Sequence, residues 1–437
     1  MVRIIKRISK MAVEFCGITL GIILIGLIVF FYKQEKNLLA PTVAFLTLEF
    51  LAYVPGLIVL KQESSIYFTA TGSVKLVSYE FLYIVFVLVG MSMGNKAKLH
   101  YETTEYDAPI FNIVMFFLIG FAAKLIVVRK LGGLGFVVAH PRLAYQLQSH
   151  GYGVYTQVYK FMLMAILAVC EKAVKHREQK KYIVYAAVMI LLYMLSFLIY
   201  TSRTPGLIVL LMVFFICNFE VRKFNVRRLL NRRVLIVAIF IFAASNFATN
   251  SRNDNTNIES NSAIQDMVMN LSMDGRDMFV YDYFSAHNKW HGAGYLNIIP
   301  SLIPGVPDKP VTDDGLYLVN LIRGHDVSVN ALFSTLPSST GSVPFSTPGY
   351  MFANFGVSGI ILGGLLMGVI LRISYRKMLG NKNAFSVAIY FYMIYSFGLS
   401  TGRMVPVIIT VVFIVVFRQL INLKFVIQKN HGQVGRL

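Results

Sequence analysis

Side chains capable of acid–base chemistry or anion binding concentrate in one polar segment, residues 249–348. It contains Arg276 next to Asp277, and it holds three of the eight histidines: His287, His291 and His325. Acidic residues outnumber basic ones about twofold there, in a chain whose formal net charge is +20. Apolar runs long enough to cross a bilayer lie on both sides of the segment. We therefore predict an active site that this segment forms with the membrane helices beneath it, facing away from the cytoplasm.

The histidines suit either metal binding or proton transfer. His287 and His291 are four residues apart, which would place both imidazoles on one face of a helix. No third ligand follows at a recognisable spacing, so the sequence indicates no metal site. His325 has a carboxylate, Asp326, beside it in sequence, and such a pair suits general-base chemistry near neutral pH. The alternative for each histidine is a structural hydrogen bond.

Arginines on the predicted outer face need an explanation, because topology signals deplete positive charge there. The guanidinium group is a planar fork that matches phosphate oxygens, and it stays charged when partly buried. A cluster of such groups near the outer membrane surface would suit a lipid-linked diphosphate. The candidates are Arg203, Arg252, Arg276 and Arg323, together with Arg142 if residues 131–153 are external, and Arg403 is also predicted on this face. The alternative for each is interfacial snorkelling or an ion pair with an acid of the segment.

Composition predicts a membrane protein. The chain has 437 residues, of which 56% are hydrophobic and 14% charged, and its mean hydropathy is +0.63, whereas about 25% of the residues in a soluble domain are charged. We expect an all-α polytopic fold with about eleven (ten to thirteen) transmembrane helices. The predicted spans are 11–32, 39–60, 75–94, 108–128, 154–173, 182–200, 204–218, 233–248, 349–371, 384–402 and 404–423. The chain then divides into an N-terminal bundle of about eight helices (1–248), the extracytoplasmic loop (249–348), and C-terminal helices with a tail (349–437).

Lysine and arginine lie mainly in short segments between the apolar runs: 1–10, 171–181, 220–233, 372–382 and the C-terminal tail. This positive-inside pattern orients helices in a membrane, and it argues against a nucleic-acid partner. It predicts a cytoplasmic C-terminus. The N-terminal half does not fit as simply, because five spans from a cytoplasmic N-terminus would put 171–181 outside. Either residues 131–153 contain an extra or re-entrant crossing, or the N-terminus is an exception.

Some ionisable residues fall inside predicted spans. Glu14 and Lys124 lie near span ends, where their side chains can snorkel. Glu49 and Glu80 lie deeper and need a partner or an aqueous cavity. A structural pair is one interpretation of these two residues, and proton-coupled transport is the other.

Small residues recur at four-residue spacing in several predicted spans: Gly17 and Gly21, Gly359 and Gly363, and Gly364 and Gly368. In lipid the hydrophobic effect does not drive helices together, and small residues allow their backbones to approach closely. We therefore predict that these glycines lie at helix–helix contacts.

With these residues the chain resembles the oligosaccharide repeat-unit polymerases of bacterial surface polysaccharide synthesis, the Wzy or O-antigen polymerase group. The matching features are the RD pair Arg276–Asp277, the stretch GYLNIIPSLIPGVPDKP, and YMFANFGVSGI at the start of a late helix. The proline-dense part of that stretch cannot be regular helix, and it is expected to cover the bundle. The layout of spans around one large external loop also matches. Arg142, followed eleven residues later by Gly153, echoes a pattern described in this family's external loops.

The resemblance implies a metal-independent glycosyltransferase without a cofactor, built as a GT-C-like bundle in the cytoplasmic membrane of a bacterium. Its substrates would be undecaprenyl-diphosphate-linked glycans embedded in membrane lipid, and its partners would include flippase and chain-length regulator proteins. The growing polymer would pass from its lipid diphosphate to a hydroxyl of the next repeat unit. Arginines would stabilise the departing diphosphate, and His325, His287 or Asp277 would accept the proton.

Other functions are also compatible with these sequence features. A ligase that moves finished glycan to a different acceptor would share the layout and the chemistry. A lipid-linked-glycan flippase or another transporter would predict ionisable residues throughout the spans, internal pseudo-symmetry and short external loops. A structural scaffold would leave the acidic, histidine-bearing segment unexplained.

Overall fold

A computed structural model of the chain describes residues 2–59, 70–101, 106–140, 144, 153–198, 204–221, 272–296, 314–322 and 344–423. Every regular element in these ranges is helical. In chain order the helices are α1 (Val2–Glu35), α2 (Pro41–Val59), α3 (Ala70–Lys96), α4 (Ile110–Lys130), α5 (Gly133–Ala139), α6 (Gly153–Val158), α7 (Lys160–Lys175), α8 (Lys180–Leu198), α9 (Thr204–Ile216, continued by a π-helical turn over Cys217–Val221), α10 (Asp274–Ala286), α11 (Ala293–Leu296), α12 (Asp314–Ile322), α13 (Thr347–Phe355), α14 (Val357–Asn381), α15 (Ala384–Tyr395) and α16 (Thr401–Ile421).

Seven helices in the described ranges are long and apolar enough to cross a membrane: Met11–Glu35, Pro41–Ile58, Gly72–Lys96, Ile110–Lys130, Lys180–Phe197, Val357–Asn381 and Thr401–Ile421. Large apolar side chains such as Phe15, Ile22 and Leu362 are exposed on them, as hydrocarbon surroundings require. The prediction of an all-α polytopic membrane protein is thereby confirmed at this level.

The structure differs from the predicted spans at several places. The predicted span 349–371 is divided at Gly356, whose φ of 66° ends α13 before α14 begins; glycine adopts this left-handed conformation without steric penalty. The predicted spans 154–173, 204–218 and 384–402 correspond to shorter helices. The span 233–248 lies outside the described residues, as does much of 131–153, so the count of eleven remains a prediction.

The chain forms two compact units. The first comprises Met1–Glu102, Arg222–Lys382 and Ile389–Val411, and the second comprises Thr103–Val221, Asn383–Ala388 and Val412–Leu437. The first unit contains Arg276 and Asp277, so it holds the part of the chain that the sequence singled out.

Glycines allow the longest helices of the first unit to touch. A Cβ atom on Gly368 of α14 would overlap the carbonyl oxygen of Val87 in α3, and one on Gly364 would lie 3.0 Å from the carbonyl oxygen of Tyr83. On α1, a Cβ at Gly17 would lie 2.8 Å from the Cβ of Leu57. The predicted helix contacts at these glycines are confirmed, and close backbone approach is their physical role.

Arginines hold one end of this unit together. Arg372 Nη1 lies 3.2 Å from Glu35 Oε1, and its Nε donates to Asn95. Arg376 donates to the carbonyl oxygens of Gly94 and Ala97, both at 2.8 Å. Cations at the last carbonyls of a helix also interact favourably with its dipole. The basic segment 372–382 therefore joins the C-terminal ends of α1, α3 and α14.

In the second unit, Lys124 departs from its predicted snorkelling. Its side chain is only 1% exposed, and Nζ lies 4.8 Å and 4.1 Å from the ring centres of Tyr159 and Phe197. The rings of neighbouring helices cover the ammonium group and attract it electrostatically. Sequence position alone suggested an interfacial lysine, and that prediction is wrong.

The glycine contact between α3 and α14 generates a stability prediction. We expect Gly368→Leu to lower the stability of the purified protein by about 2 kcal/mol, because the added side chain forces the two backbones apart. Thermal unfolding in detergent, followed by the loss of monodisperse protein, measures this effect. Gly26→Leu is the matched control, since a Cβ there meets nothing within 4 Å. Equal melting temperatures for the two variants would contradict the prediction.

Candidate functional site

The carboxylate of Asp277, in the first turn of α10, is the centre of the candidate site. It is fully buried, and its two oxygens accept hydrogen bonds from two other elements. Tyr53 of α2 donates to Oδ2 at 2.6 Å, and Ser346 donates to Oδ1 at 2.7 Å. The carboxylate therefore connects a membrane-crossing helix with two helices of the polar segment.

The surroundings of Asp277 shift the pKa of its carboxyl group in opposite directions. Burial raises its pKa to about 6, while the hydrogen bonds from Tyr53 and Ser346 and the positive charges of Arg276 and Arg403 act to lower it. Desolvation exceeds the other effects because the carboxylate has lost its contact with water.

Ser346 serves both Asp277 and the start of α13. Its hydroxyl donates to the Asp277 carboxylate and accepts the backbone N–H of Gly349 at 2.8 Å, so it is the N-cap of this helix. Pro348 occupies the first turn, where a missing N–H does no harm. A Cβ on Gly349 would lie 2.5 Å from Asp277 Oδ1. The helix thus directs its positive N-terminal end at the carboxylate.

A second carboxylate, Asp274, is buried one turn earlier and packs against α2. It accepts hydrogen bonds from the Ser272 hydroxyl and from Gly275 N–H, while Oδ2 has no partner among the described residues. Burial raises its pKa to about 7, against the effect of these hydrogen bonds. A Cβ on Gly56 of α2 would overlap this carboxylate, so glycine is required there.

The backbone of α2 also binds the polar segment directly. Pro55 lies inside this helix and interrupts its hydrogen-bond ladder, because proline has no N–H. Close to this interruption, the carbonyl oxygen of Ala52 accepts a hydrogen bond from Met273 N–H at 2.9 Å. The start of α10 is therefore anchored to a membrane helix through both backbone and side chains.

Two arginines from distant parts of the chain meet at this anchor. Arg276 Nη1 lies 3.4 Å from the sulfur of Met273, and Arg403 Nη2, from the first turn of α16, lies 3.8 Å from the same atom. Burial lowers the pKa of Arg276, and the charge of Arg403 lowers it further against the opposing effect of Asp277. A thioether is only a weak acceptor. The contact therefore puts two positive charges side by side without neutralising either.

His287 and His291 do not share a helical face, contrary to the prediction. Helix α10 ends at Ala286, because Trp290 and His291 instead donate backbone hydrogen bonds to Ala353 and Asn354 at the end of α13. His287 is exposed, stacks on Tyr283, and holds its Nδ1 2.8 Å from that residue's carbonyl oxygen. It lies ten residues, or about 15 Å along the helix, from Asp277.

The other predicted site residues belong to parts of the chain that the structure does not describe. His325, Arg142, Arg203, Arg252 and Arg323 all lie outside the described residues, as does the proline-dense stretch. Within the described ranges, no three His, Cys, Asp or Glu side chains form a group that could hold a metal ion.

Several site residues were missed by the sequence analysis. Ser346 carries a recognisable signal, since serine two residues before proline is typical of a helix N-cap. The Pro55–Gly56 pair inside an apolar run marks a helix irregularity where another segment can bind. Tyr53 carries no such signal, because tyrosine is common in membrane helices.

No protein-family model, curated protein or solved structure matches the chain. The fold and the site define a helical membrane protein with a cluster of buried carboxylates beside two half-buried arginines.

The raised pKa of Asp274 predicts a pH-dependent stability. Between the ordinary value of 3.8 and about 7, the folded state keeps a proton that the unfolded state releases. The free energy of unfolding should therefore fall as the pH rises through this window. Asp274→Asn should make the decline shallower, by at most about 1.4 kcal/mol per pH unit.

Chemical denaturation in detergent between about pH 4 and pH 8 measures that slope. Asp282→Asn is the control, since Asp282 is an exposed residue of the same helix, paired with Lys75 at 2.7 Å. A slope in Asp274→Asn as steep as in the wild type would show that Asp274 does not bind this proton.

Proposed function

We propose that the protein is a membrane glycosyltransferase that polymerises undecaprenyl-diphosphate-linked oligosaccharide repeat units into surface polysaccharide. The observation that carries the proposal is that the guanidinium groups of Arg276 and Arg403 lie close together beside the buried carboxylate of Asp277. Two adjacent guanidinium forks suit the two phosphoryl groups of a lipid diphosphate. We further propose about eleven spans in a GT-C-like arrangement in a bacterial cytoplasmic membrane.

The position of the arginine pair along the helices supports an external site. Lys75, near the start of α3, contacts Asp282 of α10, whereas Gly94, near its end, contacts Arg376 of the basic segment 372–382. Nineteen helical residues separate these contacts, about 29 Å, which equals the thickness of the hydrocarbon core. With the basic segment on the cytoplasmic side, the start of α3 and Asp282 lie toward the outer surface, and Arg276 lies six residues from Asp282 on the same helix.

The chemistry of glycosyl transfer fits the charges of the site. The bond between the sugar and the diphosphate breaks as the acceptor hydroxyl attacks, so negative charge develops on the leaving phosphate. Fixed guanidinium groups stabilise that charge more in the transition state than before it. Both oxygens of Asp277 already accept hydrogen bonds, so we assign it the positioning of Arg276 and retain His325 as the candidate base.

A proton-coupled flippase for lipid-linked glycan is the second candidate. It is favoured by Glu49 and Glu80, two carboxyl groups inside membrane-crossing helices that interact with each other and with Asp277. Ionisable groups at such depth commonly belong to proton pathways.

The length distribution of surface glycan in a strain lacking the gene tests the proposal. Single repeat units at the surface, with no long chains, are the expected result. Lipid-linked polymer that accumulates outside without transfer would identify a ligase. Repeat units trapped on the cytoplasmic leaflet would identify a flippase and overturn the polymerase.

Substitution of the arginine pair tests the assigned chemistry. We expect Arg276→Ala and Arg403→Ala each to slow polymerisation about 10²- to 10³-fold, because one stabilising donor group is lost. Lysine at either position should restore only part of the rate, since it lacks the planar fork. The measurement is polymer formed from lipid-linked repeat units by purified protein.

Arg129→Ala, at an exposed arginine of α4, is the control and should leave the rate unchanged. Full activity in both site variants, with folded protein verified by its melting temperature, would remove the arginine pair from the mechanism.

A further inference from the structure

Glu49 of α2 and Glu80 of α3 bring two carboxyl groups together inside the membrane-crossing helices. Glu80 is completely buried, and neither oxygen of its carboxylate receives a hydrogen bond in the described structure. The neighbouring Tyr53 hydroxyl uses its single proton for Asp277. The two carboxyl groups are nevertheless close enough to form a hydrogen bond with each other. Carboxylates only accept hydrogen bonds, so this bond requires a proton on one of the two groups.

The groups around Glu49 and Glu80 also favour a proton on one of the two carboxyl groups. The titratable and charged groups that face it from α2, α3, α10 and α16 are Tyr53, Tyr83, Asp277, Tyr281 and Arg403. Helix α14 meets this part of α3 through glycine. Only one of these groups is a cation, and Asp277 adds a further negative charge.

A count of charges over the described part of the site gives the same result. Four carboxyl groups, from Glu49, Glu80, Asp274 and Asp277, face two guanidinium groups, from Arg276 and Arg403. Full ionisation would leave a net charge of about −2 among these six groups, and buried charges without counterions are strongly unfavourable. Neutral carboxyl groups remove the excess.

We propose that Glu49 and Glu80 share one proton, and that this buried proton site is coupled to the binding of an anion at Arg276 and Arg403. The coupling rests on the proposed function only in its use of the arginine pair as an anion site. Glu49 interacts favourably with Arg403 when ionised. An anion that offsets the charge of Arg403 weakens this interaction, so the neutral acid becomes more favourable and protons are taken up.

Thermodynamic linkage between protons and the anion determines how the affinity for the anion changes with pH. Because anion binding takes up protons, the affinity for the anion increases as the pH falls, by up to about tenfold per pH unit when one full proton is taken up. Such coupling would let the site hold its anionic substrate more tightly at low pH.

Infrared difference spectroscopy of the full-length protein in lipid nanodiscs detects the shared proton directly. At about pH 8, above the pKa values of Asp274 and Asp277, the wild type should show the carbonyl band of a protonated carboxyl group. Glu80→Gln should abolish this band and Glu49→Gln should shift it. Glu171→Gln is the matched control and should leave it unchanged, because Glu171 is buried but accepts the backbone N–H of Ala384 at 2.6 Å.

A band that is absent from the wild type, or unaffected by both pair variants, overturns the proton site. Because the spectra require no substrate, this result would leave the proposed polymerase intact.

Sulfate, whose own charge is constant between about pH 5 and pH 8, probes the coupling. Its affinity should increase toward low pH in the wild type, and the increase should be smaller in Glu49→Gln and Glu80→Gln. An equal increase in all three proteins overturns the coupling. Failure of sulfate to bind overturns it too, and then also counts against the arginine pair as a diphosphate site.

Discussion

The hydrogen bonds of the buried Asp277 carboxylate determine how the polar segment meets the membrane helices. Its donors, Tyr53 and Ser346, lie 224 and 69 residues away in sequence. A buried carboxylate without donors is strongly unfavourable, so displacement of either partner would leave the charge uncompensated. This requirement fixes α10 and α13 against α2. It also fixes Arg276, the neighbour of Asp277, close to Arg403.

Glycine makes this polar contact compatible with a packed bundle. Gly56 and Gly349 leave room for the carboxylates of Asp274 and Asp277, where a Cβ would collide with an oxygen atom. Gly368 performs the apolar equivalent between α3 and α14. At Gly56 and Gly349 the absent side chain lets a carboxylate come close to the helix, and at Gly368 it lets the backbone of the neighbouring helix come close. Packing and site geometry therefore depend on the same residue type.

The sequence predicted the features that depend on local composition. Long apolar helices and the contact at Gly368 follow from hydropathy and spacing, and Arg276–Asp277 was identified because it is charged within a segment between spans. Features that depend on distant contacts escaped prediction. Arg403 meets Met273 across 130 residues of sequence, which no local pattern encodes. His287 appeared helical with its neighbours, yet the chain leaves the helix there because the backbone at Trp290 binds α13.

The balance of charge around the arginines has a consequence for catalysis if they bind a diphosphate. An isolated pair of guanidinium groups would hold a substrate and a released lipid diphosphate equally firmly, and tight uniform binding does not accelerate the chemical step. Neighbouring carboxylates such as Asp277 offset much of the positive charge before the substrate arrives, so ground-state binding is moderated. When the glycosidic bond breaks, the leaving phosphate gains negative charge close to the guanidinium groups, and their attraction increases most at that moment. Carboxylates next to phosphate-binding arginines are therefore compatible with turnover. They weaken the binding of the substrate and of the released lipid diphosphate more than they weaken the binding of the transition state.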